Sequence, residues 1–198
     1  MLNVDNATKK LIADLIYRGT HRILPKGGTI EQSCFYHAVS ANQIIQQVID
    51  SDKLRKPGQP RSKILVQAGS ASWPRIKPED DDGAMNTHLS YVWEQETAFH
   101  ANLLLQRTKA LPEIHCWNAI VTPGHDPILL DFTIKYLPRI CESLIGEKWT
   151  AATPPDFYWG TADELPPNVN YTPNQEAVKF VYGLLGCEIS NFTPLMKG

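Results

Sequence analysis

Between residues 34 and 48, Cys34, Ala38, Ala41, Ile45 and Val48 recur at the spacing of a single helix face. A helix carrying that stripe must be buried, and its small residues close to the cysteine let it pack tightly. Two caps compete for its start. Thr29 with Gln32 three residues on matches a capping box, and Ser33 is the other candidate. Either one puts Cys34 in the first turn or just past it.

The rest of the chain supplies a sheet for that helix to rest on. An earlier helix, capped by Asp5 or Asn6, has Leu11, Leu15 and Ile16 as its apolar stripe and ends at Pro25 and Gly27-Gly28. Residues 63–68 read as a strand that a glycine bend extends over 70–73, and residues 87–94 are strand-like. The stretch 99–107 fits strand or helix. Residues 113–121 and 128–133 are two more strands, joined by a turn at Pro123 and Gly124. A short helix follows through Pro138, and Thr172 with Pro173 opens a last helix running to Gly183 or Gly186. The order of helix, cysteine helix, strands and helix predicts an α+β fold, with residues 1–198 as one domain.

Of four cysteines, only Cys34 sits where a helix amino terminus lowers a thiol pKa. Cys116 falls mid-strand, Cys141 in a helix interior and Cys187 beyond the last helix. No C-x-x-C pair occurs, the chain needs no disulfide at this size, and no export signal precedes it, so all four read as reduced thiols in a cytoplasmic setting. A thiolate nucleophile needs a base, and the base needs an orienting group. A hairpin symmetric about Pro123 sets His115 directly opposite Asp131, with side chains on one face. An odd slip in register would separate them. Trp117 shares the His115 face and is a candidate to line the site.

Ser33-Cys34-Phe35-Tyr36-His37-Ala38, Ile114-His115-Cys116-Trp117 and Leu130-Asp131-Phe132-Thr133, in that order, resemble the transglutaminase-like superfamily. The resemblance covers residues 29–133. It implies a papain-like arrangement, in which a buried cysteine helix packs on an antiparallel sheet that carries histidine and aspartate. It also implies a Cys34-His115-Asp131 triad that forms a thioester intermediate, without a cofactor. No tryptophan stands before Cys34 to serve as oxyanion donor, which leaves the Cys34 backbone N–H and the Gln32 amide for that task. The gap between Cys34 and His115 is longer than in many relatives and suggests an insertion over residues 73–86.

Cys34, His37, His115 and Cys116 are the side chains to weigh as zinc ligands, but His115 and Cys116 alternate across a strand, so no metal site is expected. The acids at 79–82 lack calcium-loop spacing, and Arg55, Lys56, Arg61 and Lys63 read as a charged surface turn. A net charge of −2 gives no reason to expect nucleic acid, and no apolar run is long enough for a membrane span. The expected partner is a peptide, protein or carrier-bound acyl substrate, transferred to water or an amine. The alternative is a non-catalytic interaction domain that retains the same fold.

Overall fold

Asp5 opens the first helix by accepting a hydrogen bond from the Thr8 amide at 2.7 Å, and α1 then runs Asn6–Ile23. The computed structural model describes residues 4–29, 33–51, 58, 60–77, 87–94 and 114–186. The expected α1 stripe is turned about the helix axis: Ile12, Ala13, Ile16 and Thr20 are buried, while Leu11 and Leu15 are exposed. Gly19 accounts for the turn. A Cβ there would stand 2.6 Å from the Ser40 hydroxyl oxygen, so the face holding Ile12, Ile16 and Gly19 is the one that meets α2.

Helix α2 (Cys34–Asp50) begins at the cysteine itself, with Ser33 as its cap position, so the later of the two candidate starts is the one adopted. Its buried residues are His37, Ala38, Ser40, Ala41, Ile45 and Ile49. The stripe therefore ends on Ile49, and Val48 lies at the margin. Asn118 fastens the helix to the sheet by donating from Nδ2 to the Ala38 carbonyl at 3.0 Å.

Among the described residues the sheet has six antiparallel strands: β1 (Lys63–Pro74), β2 (His88–Tyr91), β3 (His115–Val121), β4 (Ile128–Asp131), β5 (Tyr158–Thr161) and β6 (Asn170–Pro173). Their order is β2-β1-β3-β4-β5, and β6 also pairs with β1. Residues 63–68 and 70–73 form one strand through Gly69. Trp73, placed by the sequence at the start of an insertion, lies inside that strand and is buried, and residues 78–86 lie outside the described residues, as does the 99–107 stretch.

Residues 134–145 continue from β4 as a 3-10 turn (Ile134–Tyr136), α3 (Leu137–Ile140) and a wider π turn (Cys141–Ile145). The carboxyl-terminal helix starts later than expected. Thr172 and Pro173 belong to β6, and Asn174 caps α4 (Gln175–Leu184) by accepting from the Glu176 and Ala177 amides at 2.9 and 3.2 Å. A side-chain cap needs a free acceptor beside the first amides. Thr172 is instead paired opposite Ser70 in the sheet. Ile45, Ile64, Ile120, Leu130 and Phe132 form the core between α1, α2 and the sheet, and Val178 and Val181 of α4 close a second cluster over Val66, Ala68 and Cys116. No helix among the described residues is long and apolar enough to cross a membrane.

His37 is one of several polar residues buried here. Its Nδ1–H donates to the Ser33 carbonyl at 2.9 Å, and its ring packs against Tyr17 and Tyr136. Burial, only partly offset by that bond, lowers its pKa to about 4. A histidine kept neutral in the fold and free to ionise when unfolded contributes stability above pH 6.5 that drains away as pH falls toward 4. His37→Phe keeps a ring and cannot titrate. Urea unfolding at pH 7 and pH 4 should show the parent losing about 3 kcal/mol more than the variant across that interval. Equal losses would show that His37 does not carry the acid sensitivity.

Candidate active site

The β3–β4 hairpin sets the first two site residues. Asn118 pairs with Leu130, Ala119 with Leu129 and Ile120 with Ile128. The register is therefore two residues from the one expected, and His115 lies diagonal to Asp131 instead of directly opposite it. A slip of two preserves the face, because strand side chains alternate with period two. The side chains meet across the diagonal: His115 Nε2 lies 2.7 Å from Asp131 Oδ2, and both residues are buried.

The Asp131 carboxylate is held from every side. Oδ1 accepts from the Thr133 amide at 2.8 Å and the Thr133 hydroxyl at 2.6 Å. Oδ2 accepts from His115 and from the Tyr171 hydroxyl at 2.8 Å. Trp73 Nε1–H in turn donates to the Tyr171 oxygen at 3.2 Å. Burial alone would push this carboxyl up, but the His115 charge and the bonds from His115 and Thr133 outweigh it and hold the pKa below the usual range. Tyr171 is shifted well upward, by burial and by the adjacent carboxylate, and so remains an O–H donor.

Tyr171 reaches this position because β6 lies tight against β1, pairing Gly69 with Pro173 and Ala71 with Tyr171. A Cβ on Gly69 would collide with the Thr172 carbonyl and come within 2.8 Å of the Asn174 amide, so only glycine permits the approach. Neither Tyr171 nor Trp73 was assigned to the site from sequence. Tyr171 belongs to a strand that the Thr-Pro pair disguised as a helix start.

Cys34 completes the group from the helix side. It is half-buried, whereas Cys116 and Cys141 are buried. Its Sγ lies 3.0 Å from the Ile114 carbonyl oxygen, immediately before β3, and donates to it when protonated. The Cys34 pKa is well below that of an ordinary thiol. Hydrogen bonding from the Cys116 thiol is the largest cause, opposed by burial and reinforced by the hydrogen bond and charge of His115. For His115, burial favours the neutral ring, but Asp131 and the Cys34 sulfur together raise its pKa to about 9. With Nε2 committed to Asp131, Nδ1 is the nitrogen that remains for the sulfur. Both shifts act in the direction of a thiolate beside an imidazolium.

Aromatic rings enclose the imidazole. Trp73 meets it edge to face at a centroid distance of 4.8 Å, Tyr91 lies tilted at 5.3 Å, and Trp117 stacks at 5.8 Å. Trp117 is only 3% exposed, so it supports the ring from behind and presents no open face to a substrate. Gln32, whose amide is the second expected oxyanion donor beside the Cys34 backbone N–H, lies outside the described residues, as does Cys187. Among the described residues no group of three or more histidine, cysteine or acidic side chains is placed to hold a metal ion. No protein-family model, curated protein or solved structure matches the chain.

Two outcomes follow from this geometry. Iodoacetamide at pH 7 should alkylate Cys34 at least about tenfold faster than Cys116 or Cys141, read by peptide mass spectrometry, because only Cys34 combines a lowered pKa with access. Equal rates at the three would remove the basis for an activated thiol. Tyr171→Phe should cost about 1.5–3 kcal/mol in urea unfolding, the range for a hydrogen bond to a charged group. A loss below about 0.5 kcal/mol, typical of a surface change, would show that the hydroxyl does not support Asp131.

Proposed function

We propose that the chain is a cysteine-nucleophile acyl-transfer enzyme of transglutaminase-like type, working on an amide, ester or thioester carbonyl. The observation that carries this reading is the continuous line from Cys34 at a helix amino terminus, through His115, to a carboxylate saturated with hydrogen bonds. A structural ion pair has no need of a thiol with a lowered pKa beside it.

In this mechanism the Cys34 thiolate adds to the carbonyl carbon, forming the C–S bond and moving the π electrons onto oxygen. The Cys34 backbone N–H, in the first turn of α2, is the donor for that oxyanion. When the tetrahedral species collapses, the His115 imidazolium gives its proton to the leaving amine, alcohol or thiol, and a thioester remains on Cys34. Neutral His115 then takes a proton from water or an amine as it attacks the thioester, and the thiolate departs. Asp131 stays ionised throughout, holding Nε2–H and stabilising the charged ring.

Exposure to an activated acyl ester and to glutamine-containing peptides, followed by mass spectrometry, tests the reading directly. An acyl adduct on Cys34 that an added amine or water discharges is expected. No adduct from any acyl donor would favour the non-catalytic interaction domain. Cys34→Ala should abolish turnover, and His115→Ala should lower it by at least about 10³-fold. Asp131→Asn should cost on the order of 10²-fold, since orientation suffers while the nucleophile remains. With the parent, kcat/KM should rise with pH through the lowered Cys34 value and fall near pH 9, where His115 loses the proton it must donate. Activity still climbing through pH 9 would exclude His115 as the acid.

A further inference from the structure

Cys116 is not a reacting group in the acyl-transfer cycle, yet it belongs to the buried cluster against which the nucleophile packs. The Cys34 sulfur lies 3.0 Å from the Ile114 carbonyl oxygen, two residues before Cys116. The two residues share one core cluster, closed by Ala38 of α2 and by Ala68, which pairs with Cys116 across the β1–β3 ladder. Ile114, whose carbonyl accepts from the Cys34 thiol, belongs to that cluster as well. Cys34 is half-buried and Cys116 is sealed behind it, so any solvent oxidant reaches Cys34 first.

We propose that Cys34 and Cys116 form a peroxide-modifiable dithiol, in which Cys34 is the reacting thiol and Cys116 the resolving one, closing a reversible disulfide across the α2–β3 junction. In the first step the Cys34 thiolate attacks one oxygen of hydrogen peroxide. The O–O bond breaks, hydroxide leaves and is protonated to water, and Cys34 becomes a sulfenic acid. In the second step the Cys116 sulfur attacks the sulfenic sulfur. The S–O bond breaks, the Cys116 proton leaves with the departing hydroxide as a second water, and the S–S bond forms. Both thiols are oxidised together and the peroxide is reduced to water. A dithiol carrier or dithiothreitol reverses the change by exchange. The pair would shield a reactive thiol from irreversible over-oxidation while silencing it. This inference goes beyond acyl transfer and holds whether or not Cys34 turns over a substrate.

The test uses the full chain with a small excess of hydrogen peroxide. Intact mass should fall by two hydrogens, a crosslinked peptide should join Cys34 to Cys116, and alkylation of Cys34 should drop to background and return with dithiothreitol. In Cys116→Ala and Cys116→Ser the same treatment should instead carry Cys34 on to sulfinic acid, with no return. If neither variant folds, the crosslink in the parent still decides the matter. Sulfinic acid on Cys34 of the parent with Cys116 still free would overturn the proposal. So would a disulfide from Cys34 to another cysteine or to a second molecule, or no oxidation of Cys34 at all.

Discussion

The buried ion pair between His115 and Asp131 governs how the sheet is assembled around it. A carboxylate taken out of water is tolerable only when its lone pairs are filled and a positive charge stands against it. Asp131 meets both conditions with four hydrogen bonds, from His115, Tyr171 and both donors of Thr133. Each imposes a structural demand. The Thr133 bonds end β4 at Asp131 and turn the chain into the 3-10 segment that follows. The Tyr171 bond requires β6 to lie against β1 at a distance only Gly69 allows. The His115 bond requires an even register in the β3–β4 hairpin. Removing either charged partner would strand the other in a low-dielectric interior, a change that typically costs about 3–5 kcal/mol.

The helix side obeys a different constraint. An activated thiol needs the first turn of a helix, where amide donors are unsatisfied, and it needs to reach the sheet. Ala38 and Ala41 supply the close approach, and the Asn118 bond to the Ala38 carbonyl sets the depth of the helix. His37 ties the cap through the Ser33 carbonyl and remains neutral in doing so. The aromatic shell of Trp73, Tyr91 and Trp117 keeps water from the ring and offers π faces and edges to its charge.

Local chemistry determines which parts of this were legible from the residues alone. The Cys34 stripe and the apolar strands around Pro123 are short-range patterns, and they gave the cysteine helix and the hairpin. The pairing register was read two residues off, because it depends on the geometry of the turn at residues 122–127, where His125 N–H donates to the Thr122 carbonyl. The shared face survived, since an even slip does not change it. The α1 stripe was misjudged because the contact is decided by a missing side chain, Gly19, against Ser40 of another helix. Tyr171 was missed for a similar reason. Asn170–Pro173 becomes a strand only when β1 is there to pair with it, and Thr172-Pro173 imitates a helix start. Trp117 was expected to line an opening and instead supports the imidazole from within the core.

An ultraviolet titration of the Cys34 thiolate, with Cys34→Ala as the blank, paired with nuclear magnetic resonance titration of the His115 ring, measures the central claim most directly. Cys34 should ionise well below the ordinary thiol value of about 8.5, and His115 should lose its proton near pH 9. Each group should also sense the other, so that Cys34→Ala lowers the His115 value. A Cys34 pKa at or above about 8.5, together with a His115 that is neutral at pH 7, would mean that no thiolate-imidazolium pair exists.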